Sequence, residues 1–580
     1  MLTSPVLIST ITFLHQGSMT APGTHGGYKM QGVRKRAFAT TAAALIFLTS
    51  GCYRDTDNSP GTALPNSAPQ QELVTTTPPG AGKVDRITWA LYRGTTSIDP
   101  ITTGDYPEIT VTSLMCEALF RQGPDGSVEP GLATKLDYTD AKTAVLTLRE
   151  GVTFWDGSPM TAEDVAFSIE RNRDPKAGGY WVPMLSRVAS VEVTGPLQVT
   201  VKLKQPDYWL RNVFSYMPGM VVSKRYVEAK GKDYGTVKGG AMCTGSYKLG
   251  QWRTGDVLSV VRNDGYWNRD VVPLVRQIDF KGIPDEATLT AALLTGEVDG
   301  AYLELPLSTM DQVRASQAVK VYRGPSYLID ALIVADMDKG VLSDARVRRA
   351  LSLAVDREAY IQTLYKGTAQ PARALGAPGA WGYEKDAFKS AWDALPAPKV
   401  DLEAARKLVQ EAGATGKTVR FGMSNELNKL VTEANLFKTA AEKIGLKAEL
   451  KAVSADAYSG FFLDPKARAD VDGFFTTNYP NWADPGALYA TLSIPGGPQD
   501  YGSYRNPKVA DLLERSRGTD DQRQQAQHTI QAQQTLTEDL PWIPVVAPDT
   551  VLVLSSKLTG ATVSSQHLFA PWADRLGAVG

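Results

Sequence analysis

The side chains that most often carry out chemistry are few and widely spaced in this sequence. It contains four histidines, and the two in its C-terminal part, His528 and His567, are too far apart for the short spacings of metal-binding motifs. No Gly-x-Ser-x-Gly sequence is present to place a nucleophilic serine on a strand-to-helix turn. The carboxylates are scattered in helices and turns, where surface solvation explains them. We therefore expect no catalytic residue, no metal site and no cofactor.

The tripeptide Gly416-Lys417-Thr418 has the ending of a phosphate-binding loop. That motif requires another glycine where Glu411 stands, and it must join a strand to a following helix. Here the surrounding pattern predicts a helix, a turn and then a strand, so the backbone amides would not converge on a phosphate. The sequence therefore gives no support for nucleotide binding.

The elements around this tripeptide form the clearest local unit of the chain. The apolar spacing predicts an amphipathic helix over 401–412, a strand over 419–423, a long helix over 427–444 and a strand over 446–453. A strand, a helix and a second strand in this order imply a parallel pair with a crossover connection. At least one lobe of the protein should therefore be α/β.

Other segments extend this alternation of helices and strands. Residues 87–91 have a strand-like composition, and residues 344–355 carry apolar side chains at helical spacing. Thr161 and Asp164 have the spacing of a capping box for a helix over 162–171.

Length, charge and cysteine content narrow the class of protein. A chain of 580 residues exceeds what one core usually organises, so two or more lobes are expected. The formal charge is -1, and it falls to about -5 without residues 1–51, which hold four cations and no acid, so nothing suggests nucleic-acid binding. Beyond Cys52, Cys116 and Cys243 could form a disulfide in an exported protein, although the sequence leaves their separation open.

The N-terminal segment has the composition of an export signal. Four basic residues between positions 29 and 36 precede about 14 mostly apolar residues, too few for the roughly 20 that span a bilayer. Two small residues directly before Cys52 resemble a bacterial lipoprotein cleavage site, at which the cysteine is lipidated. We expect residues 1–51 to be a signal peptide, with translation starting at Met19 or Met30. The alternative is a soluble secreted protein whose cysteine is not lipidated.

Residues 52–82 are rich in proline, serine, threonine and glycine, with almost no apolar periodicity. This composition predicts a disordered tether that starts at the lipidated cysteine. A coil of this length reaches about 30 Å, enough to hold a folded domain clear of a membrane surface. The expected location is the outer face of the bacterial cytoplasmic membrane, with the lipid as the membrane contact and the protein as a monomer.

A series of short motifs follows in the rest of the chain. They occupy residues 97–100, 117–120, 154–165, 244–248, 263–267, 296–299, 347–351, 356–357 and 538–544. Their sequences include Ser-Ile-Asp-Pro, Glu-Ala-Leu-Phe, Phe-Trp-Asp-Gly-Ser-Pro, Asn-Asp-Gly-Tyr-Trp and Glu-Asp-Leu-Pro-Trp-Ile-Pro. In this order they resemble the signature of the extracellular solute-binding proteins of family 5, the oligopeptide- and dipeptide-binding proteins of ABC importers.

The resemblance implies the α/β, two-lobed periplasmic-binding-protein fold of type II, with a hinge and an extra subdomain in the first lobe. Lobe I would comprise residues 84–323 and 536–580, and lobe II residues 324–535. The implied function is a receptor, not an enzyme, that captures a peptide-like solute between its lobes and delivers it to permease subunits with a separate ATPase. The alternatives are a receptor for oligosaccharides or another non-peptide solute, and a ligand sensor on the same fold.

Three segments match ligand-facing positions of that family. The residues that we expect to contact a ligand are Gly104, Asp105, Tyr106, Trp381, Thr477, Asn478, Tyr479, Asn481, Trp482 and Asp484. Further candidates are Tyr180 and Trp181, which follow a Gly-Gly pair, and Arg373, whose guanidinium could bind a carboxylate.

One departure from the family pattern concerns the charge of the ligand. In the peptide-binding members, an aspartate four residues before the proline of the third segment holds the α-ammonium of the peptide. Here that place holds Asn481, or Asn478 if two residues are inserted. An amide cannot neutralise an ammonium, so unless Asp105 or Asp484 supplies the charge, N-blocked or cyclic peptides, amides or oligosaccharides would suit the site better.

Overall fold

The computed structural model describes residues 72–253, 255–303, 308–495 and 497–580. The predicted signal peptide, Cys52 and most of the predicted tether lie outside these residues. Within the described ranges, every helix is too short or too polar to cross a membrane.

The described residues form 21 strands and 15 α-helices. The strands are β1 Val84–Leu91, β2 Phe120–Gln122, β3 Val128–Pro130, β4 Ala133–Asp140, β5 Thr143–Leu148, β6 Val188–Gly195, β7 Gln198–Leu203, β8 Tyr247–Arg253, β9 Val257–Arg262, β10 Val275–Gly282, β11 Gly300–Tyr302, β12 Val319–Gly324, β13 Ile329–Val334, β14 Ala369–Pro371, β15 Thr418–Ser424, β16 Lys447–Val453, β17 Gly473–Asn478, β18 Trp542–Pro548, β19 Thr550–Ser555, β20 Leu558–Thr559 and β21 Gly577–Ala578. The helices are α1 Tyr106–Met115, α2 Ala162–Arg173, α3 Leu210–Val213, α4 Lys224–Lys230, α5 Glu286–Thr295, α6 Met310–Ala315, α7 Ala345–Ala354, α8 Arg357–Tyr360, α9 Lys385–Ala394, α10 Leu402–Glu411, α11 Asn428–Lys443, α12 Ala455–Leu463, α13 Pro485–Ser493, α14 Pro507–Arg517 and α15 Gln522–Asp539.

Two mixed sheets form the centres of two lobes. Of the described strands, seven form the sheet of lobe I in the order β12-β19-β11-β1-β10-β9-β8, and six form the sheet of lobe II in the order β14-β18-β13-β17-β15-β16. A separate antiparallel sheet of β4-β5-β7-β6, with α2 packed against β6, adds a subdomain to lobe I. The predicted two-lobed α/β architecture with an extra subdomain is therefore confirmed.

Two local predictions are also confirmed. The strands expected around residues 419–423 and 446–453 are β15 and β16, which pair in parallel and are joined by α11. The helix expected after Thr161 is α2, and its first turn has the capping box. The Asp164 carboxylate accepts from the Thr161 backbone N–H at 3.0 Å, and the Thr161 hydroxyl accepts from the Asp164 N–H at 3.3 Å.

The chain crosses between the two lobes at two places within the described residues. Residues 325–328 lead from β12 to β13, and Asp549 leads from β18 back to β19. A buried ion pair links β12, just before the first crossing, to the second crossing, because Arg323 Nε donates to Asp549 Oδ2 at 2.7 Å. The return lies later than the predicted residue 536, since β18 pairs with β13 and Trp542 packs in the apolar core of lobe II.

The end of the predicted tether is bound to lobe I, so the prediction of disorder over residues 52–82 is wrong for its described part. Val74 donates its backbone N–H to the Arg323 carbonyl at 2.8 Å, and the buried Thr77 hydroxyl accepts from the Gly560 N–H at 2.6 Å. A segment poor in apolar side chains can still order when its extended backbone bonds to a distant loop.

Cys116 and Cys243 form a disulfide inside lobe I, with their Cα atoms 4.9 Å apart. Cys116 directly follows α1, and Cys243 lies in the segment before β8. Both side chains are buried. The bond therefore ties the helix that begins at the cleft to the far edge of the lobe I sheet.

Candidate ligand-binding site between the lobes

The N-terminus of α1 forms part of the lobe I wall, and Asp105 holds it in place. Asp105 Oδ1 accepts from the Tyr106 N–H at 2.8 Å, as expected of a helix N-cap. Its Oδ2 accepts from the Arg93 guanidinium and from the Tyr92 hydroxyl, each at 2.5 Å. The Asp105 carboxylate is therefore neutralised within lobe I.

Aromatic rings continue this wall. Gly104 lies under the Tyr180 ring, and a Cβ at this position would come within 3.1 to 3.2 Å of three ring atoms, so glycine permits the contact. Trp181 packs edge-on against Tyr180 and Tyr216, with ring centroids 4.6 and 5.1 Å apart. Burial, with a smaller contribution from the Asp105 charge, raises the pKa of Tyr180 to about 12. The Tyr180 phenol is therefore neutral at physiological pH.

The wall from lobe II starts at the end of β17. The Thr477 hydroxyl donates to Asp330 Oδ1 at 2.6 Å and accepts from Lys429 Nζ at 2.8 Å. Lys429 also pairs with Asp330 at 3.1 Å and with Glu433 at 2.6 Å. Burial raises the pKa of the Glu433 carboxyl, and the nearby Lys429 opposes this in part. Thr477 is thus fixed by a charged network that belongs to lobe II.

The residues after Thr477 reach lobe I. Asn478 Oδ1 accepts from the Tyr479 N–H at 2.7 Å and from Gln499 Nε2 at 3.3 Å. The Tyr479 ring lies 5.6 Å from the ring of Tyr106, which begins α1 in lobe I. Two of the segments predicted from sequence are therefore brought together across the cleft.

A second meeting point, the aromatic interlobe contact, comprises Gln122, Trp209 and Tyr216 of lobe I with Asn481 and Trp482 of lobe II. The Trp482 ring lies 5.7 Å from Trp209 and 6.0 Å from Tyr216, and the residue is 3% exposed. Gln122 Nε2 donates to the Asn481 carbonyl at 2.9 Å. Trp482, predicted to stack on a ligand, is instead covered by two aromatic side chains of lobe I.

Beside it lies the charged interlobe contact, formed by Arg187 and Asp207 of lobe I with Glu514 and Arg517 of lobe II. Arg517 Nε and Nη2 donate to the two Asp207 oxygens at 2.8 and 2.5 Å, and Arg187 pairs with Glu514. The Arg517 guanidinium also lies over the Trp209 ring, 5.5 Å from its centroid. The two interlobe contacts are therefore continuous.

Three residues predicted to contact the ligand have other partners. Asp484 caps α13, because its Oδ1 accepts from the backbone N–H of Gly486 at 2.8 Å and its Oδ2 from the Tyr383 hydroxyl at 3.2 Å. Arg373 donates to backbone carbonyls at the C-terminal end of α9, where we expected a ligand carboxylate. Trp381 packs against a second indole, that of α9. The observed contacts of these three residues therefore give no support to the prediction that they bind the ligand.

Burial governs the ionisation of two further groups. It raises the pKa of Asp484 to about 6, although both of its hydrogen bonds act in the opposite direction. It lowers the pKa of His567 to about 4, and this ring stacks on Tyr302 with centroids 3.7 Å apart. Among the described residues, no three side chains of His, Cys, Asp and Glu are arranged to hold a metal ion.

The lobe I side of both interlobe contacts was not predicted from the sequence. None of the family motifs includes Gln122, Trp209 or Tyr216. The ion pair joins Asp207 and Arg517, which are far apart in the chain. The sole local signal is the aromatic content of residues 208–216, which by itself is also typical of an apolar core.

The sequence profile of the bacterial extracellular solute-binding proteins, family 5, matches residues 127–500. The chain belongs to this family. Members are the solute-binding proteins of ABC importers, so this is an extracytoplasmic solute-binding protein whose lobes enclose the cleft described above.

Named relatives show the range of solutes on this fold. The chain is 26% identical to the glutathione-binding protein GsiB of Salmonella paratyphi A over 474 residues, which are 80% of this chain and 89% of that protein. It is similar in structure to the periplasmic binding protein DppA of Helicobacter pylori in complex with the peptide STSA, with TM-score 0.73, 22% identity, and 86% and 99% of the two chains covered. It is also similar to AgaA of A. tumefaciens R10 in complex with agropinic acid, with TM-score 0.71, 20% identity, and 85% and 99% covered.

Proposed function

We propose that the protein captures a peptide or peptide-like solute between its lobes and delivers it to the permease of an ABC importer. The observation that carries this proposal is the meeting of Gly104–Tyr106 and Tyr216 of lobe I with residues 477–482 of lobe II. Two relatives support this ligand class: GsiB is named for glutathione, and DppA is in complex with the peptide STSA.

Capture would work by a shift between open and closed arrangements of the lobes. The hinge is narrow, since Asp549 alone separates β18 from β19 at one of the crossings. A ligand that touches both lobes gains contacts when they close, so its binding stabilises the closed arrangement. No chemical step is required, and ATP hydrolysis would be the task of a separate subunit of the importer.

We further propose that lipid on Cys52 anchors the protein at the outer face of the cytoplasmic membrane and that it acts as a monomer. The export-signal composition of residues 1–51 supports this location. Changing Cys52 to Ala should release the protein from the membrane fraction into the medium or the periplasm. Retention of the variant on membranes would contradict the anchor.

The function is tested with a thermal-shift screen of the purified full-length protein against free peptides of two to eight residues, N-acetylated peptides and oligosaccharides. A ligand of the folded state raises the melting temperature by mass action. Binding by either peptide group supports the proposal, whereas binding by oligosaccharides alone contradicts it. In cells, deleting the receptor should abolish uptake of the same peptide, and loss of a signalling response with uptake intact would indicate a sensor instead.

A further inference from the structure

The aromatic interlobe contact contains a group of buried polar atoms that have no hydrogen-bond partner in the described part of the chain. Gln122 Oε1, Trp209 Nε1, Tyr216 OH and Trp482 Nε1 make no hydrogen bond to any of the described residues. Their residues are between 0 and 3% exposed. Buried polar groups are almost always paired, so several unpaired atoms in one contact require an explanation.

These atoms belong to one continuous surface that draws on both lobes. Trp482 touches Trp209 and Tyr216, and the Gln122 amide is bonded through Nε2 to the Asn481 carbonyl. The Asn481 side-chain amide lies beside the Tyr216 hydroxyl, although the two do not reach hydrogen-bond geometry. A group inserted here would therefore contact both lobes at once.

The unpaired atoms are electrically neutral and rich in donors. The two indole N–H groups and the phenol O–H can donate, while Gln122 Oε1 can accept. Burial raises the pKa of Tyr216 well above its usual value, so this hydroxyl keeps its proton. Three donors suit a carbonyl oxygen better than an amine.

The acidic side chains around the cleft are already engaged elsewhere. Asp105 pairs with Arg93, Asp207 with Arg517, and Asp330 with Lys429. Asp484 is turned into the N-terminus of α13. A ligand ammonium placed at the aromatic contact would thus be buried without a carboxylate to neutralise it, which is unfavourable.

We propose that the aromatic interlobe contact is the subsite for an uncharged carbonyl end group of the ligand, and that the protein selects N-acylated over free peptides. This inference rests on the proposed peptide-binding function. The acyl carbonyl oxygen has two lone pairs and accepts from two of the three donors of Trp209, Tyr216 and Trp482, while the acylated N–H donates to Gln122 Oε1.

The selection is tested with an equimolar mixture of two tetrapeptide pools that differ in N-acetylation alone. The full-length protein is incubated with the mixture, the complex is isolated, and the bound peptides are counted by mass spectrometry. We expect acetylated peptides to be enriched about tenfold or more. Equal recovery of the pools, or enrichment of the free pool, overturns the subsite and leaves the receptor function intact. Recovery of neither pool overturns both.

Two variants locate the effect at this contact. Asn481→Asp places a carboxylate beside the Tyr216 hydroxyl and should reverse the preference toward free peptides, because a charge-assisted bond to the ammonium becomes available. Asn435→Asp adds the same charge on an exposed face of α11 and should leave the ratio unchanged. A folded Asn481→Asp protein that keeps the wild-type ratio overturns the proposal.

Removing one donor gives a finer test. Tyr216→Phe should weaken binding of an acetylated peptide about threefold to tenfold, as expected for one hydrogen bond, with little change in melting temperature. Tyr226→Phe, whose hydroxyl bonds to Gly239 within lobe I, is the matched control. A crystal structure of the complex in which ordered water, and not the acyl group, occupies these donors would refute the assignment.

Discussion

The two interlobe contacts are neighbours, yet they differ in how their polar groups are satisfied. In the charged interlobe contact, Asp207 receives two donors from Arg517 and no oxygen of the pair is left without one. In the aromatic interlobe contact, buried polar atoms of Gln122 and Trp482 make no hydrogen bond to the described residues. The difference is what the proposed subsite requires: the charged contact is satisfied within the protein, whereas the aromatic contact leaves polar atoms that a ligand group could pair with.

Removing the disulfide should give the largest change in stability and serves as a reference, because Cys116 and Cys243 touch neither contact. The bond spans 127 positions of sequence, and closing a loop of that length is worth about 4 to 5 kcal/mol in the chain-entropy model. We expect the double Cys→Ala variant to lose up to this amount of its free energy of unfolding, measured by denaturant unfolding. Its ligand Kd should stay unchanged. A higher Kd in this variant would show that the stability of lobe I itself affects ligand binding in the cleft.

Trp482→Ala should break the aromatic contact. Truncation of a buried tryptophan costs about 3 to 5 kcal/mol of stability. Because Trp482 is covered by lobe I only when the lobes are together, most of this loss falls on the closed arrangement. The ligand Kd should therefore rise by about two orders of magnitude or more. Isothermal calorimetry measures this change. Trp392→Ala, which is similarly buried on α9, is the control that should lower unfolding stability without the same loss of affinity. Equal Kd changes in both variants would contradict a specific role for Trp482.

Arg517→Met should break the charged contact by leaving Asp207 buried and unpaired. Removal of one partner of a buried ion pair costs about 3 kcal/mol or more, whereas replacing both partners by apolar residues is often nearly neutral. The ligand Kd should therefore rise in Arg517→Met and recover largely in the double variant with Asp207→Leu. If the double variant binds the ligand no better than the single variant, Arg517 and Asp207 contact the ligand directly and do not act by holding the lobes together.

The smallest effect concerns Asp484, whose two oxygens are engaged by the Gly486 N–H and the Tyr383 hydroxyl and which forms no ion pair among the described residues. Its pKa is about 6 in the folded protein against 3.8 for the unperturbed group, so its contribution to stability is present below pH 4 and is lost as the pH rises through 6. Two pKa units correspond to about 2 to 3 kcal/mol.

Asp484→Asn keeps the helix cap, since asparagine is an equally good N-cap residue. It should therefore stabilise the protein at pH 7 by up to about 2 to 3 kcal/mol and flatten the fall in stability between pH 4 and pH 6. Chemical denaturation across this pH range measures both effects. Asp105→Asn, which removes a charge paired with Arg93, should destabilise instead. An Asp484→Asn protein with the wild-type pH profile of stability would show that Asp484 is not the group responsible for the fall in stability between pH 4 and pH 6.

Much of the fold could be predicted because its signals are local. The capping box of Thr161 and the parallel pair of β15 and β16 depend on residues close in sequence. The resemblance to the family predicted the two-lobed architecture and two of the segments that meet across the cleft. The end of lobe II was misplaced, since the motif around residues 538–544 does not show which sheet its strand joins.

The roles of individual site residues were harder to predict. Asp105, Asp484 and Arg373 have the types expected for binding a charged ligand, but their charges and donors are used by the protein itself. Trp482 was expected to present an open face and is covered by Trp209 and Tyr216. Residue type indicates which bonds a side chain can make, and only its neighbours decide which of them are made.

The sequence by itself determined the α/β class, the family, the helix caps and the amide at position 481, because these follow from residue types and short spacings. The tertiary structure decided that Asp207 is paired and that Gln122 Oε1 and Trp482 Nε1 have no hydrogen-bond partner among the described residues. Arg517, the partner of Asp207, comes from the other lobe and lies 310 positions away in the sequence. Burial and pairing are set by packing between distant segments, and no local pattern records them.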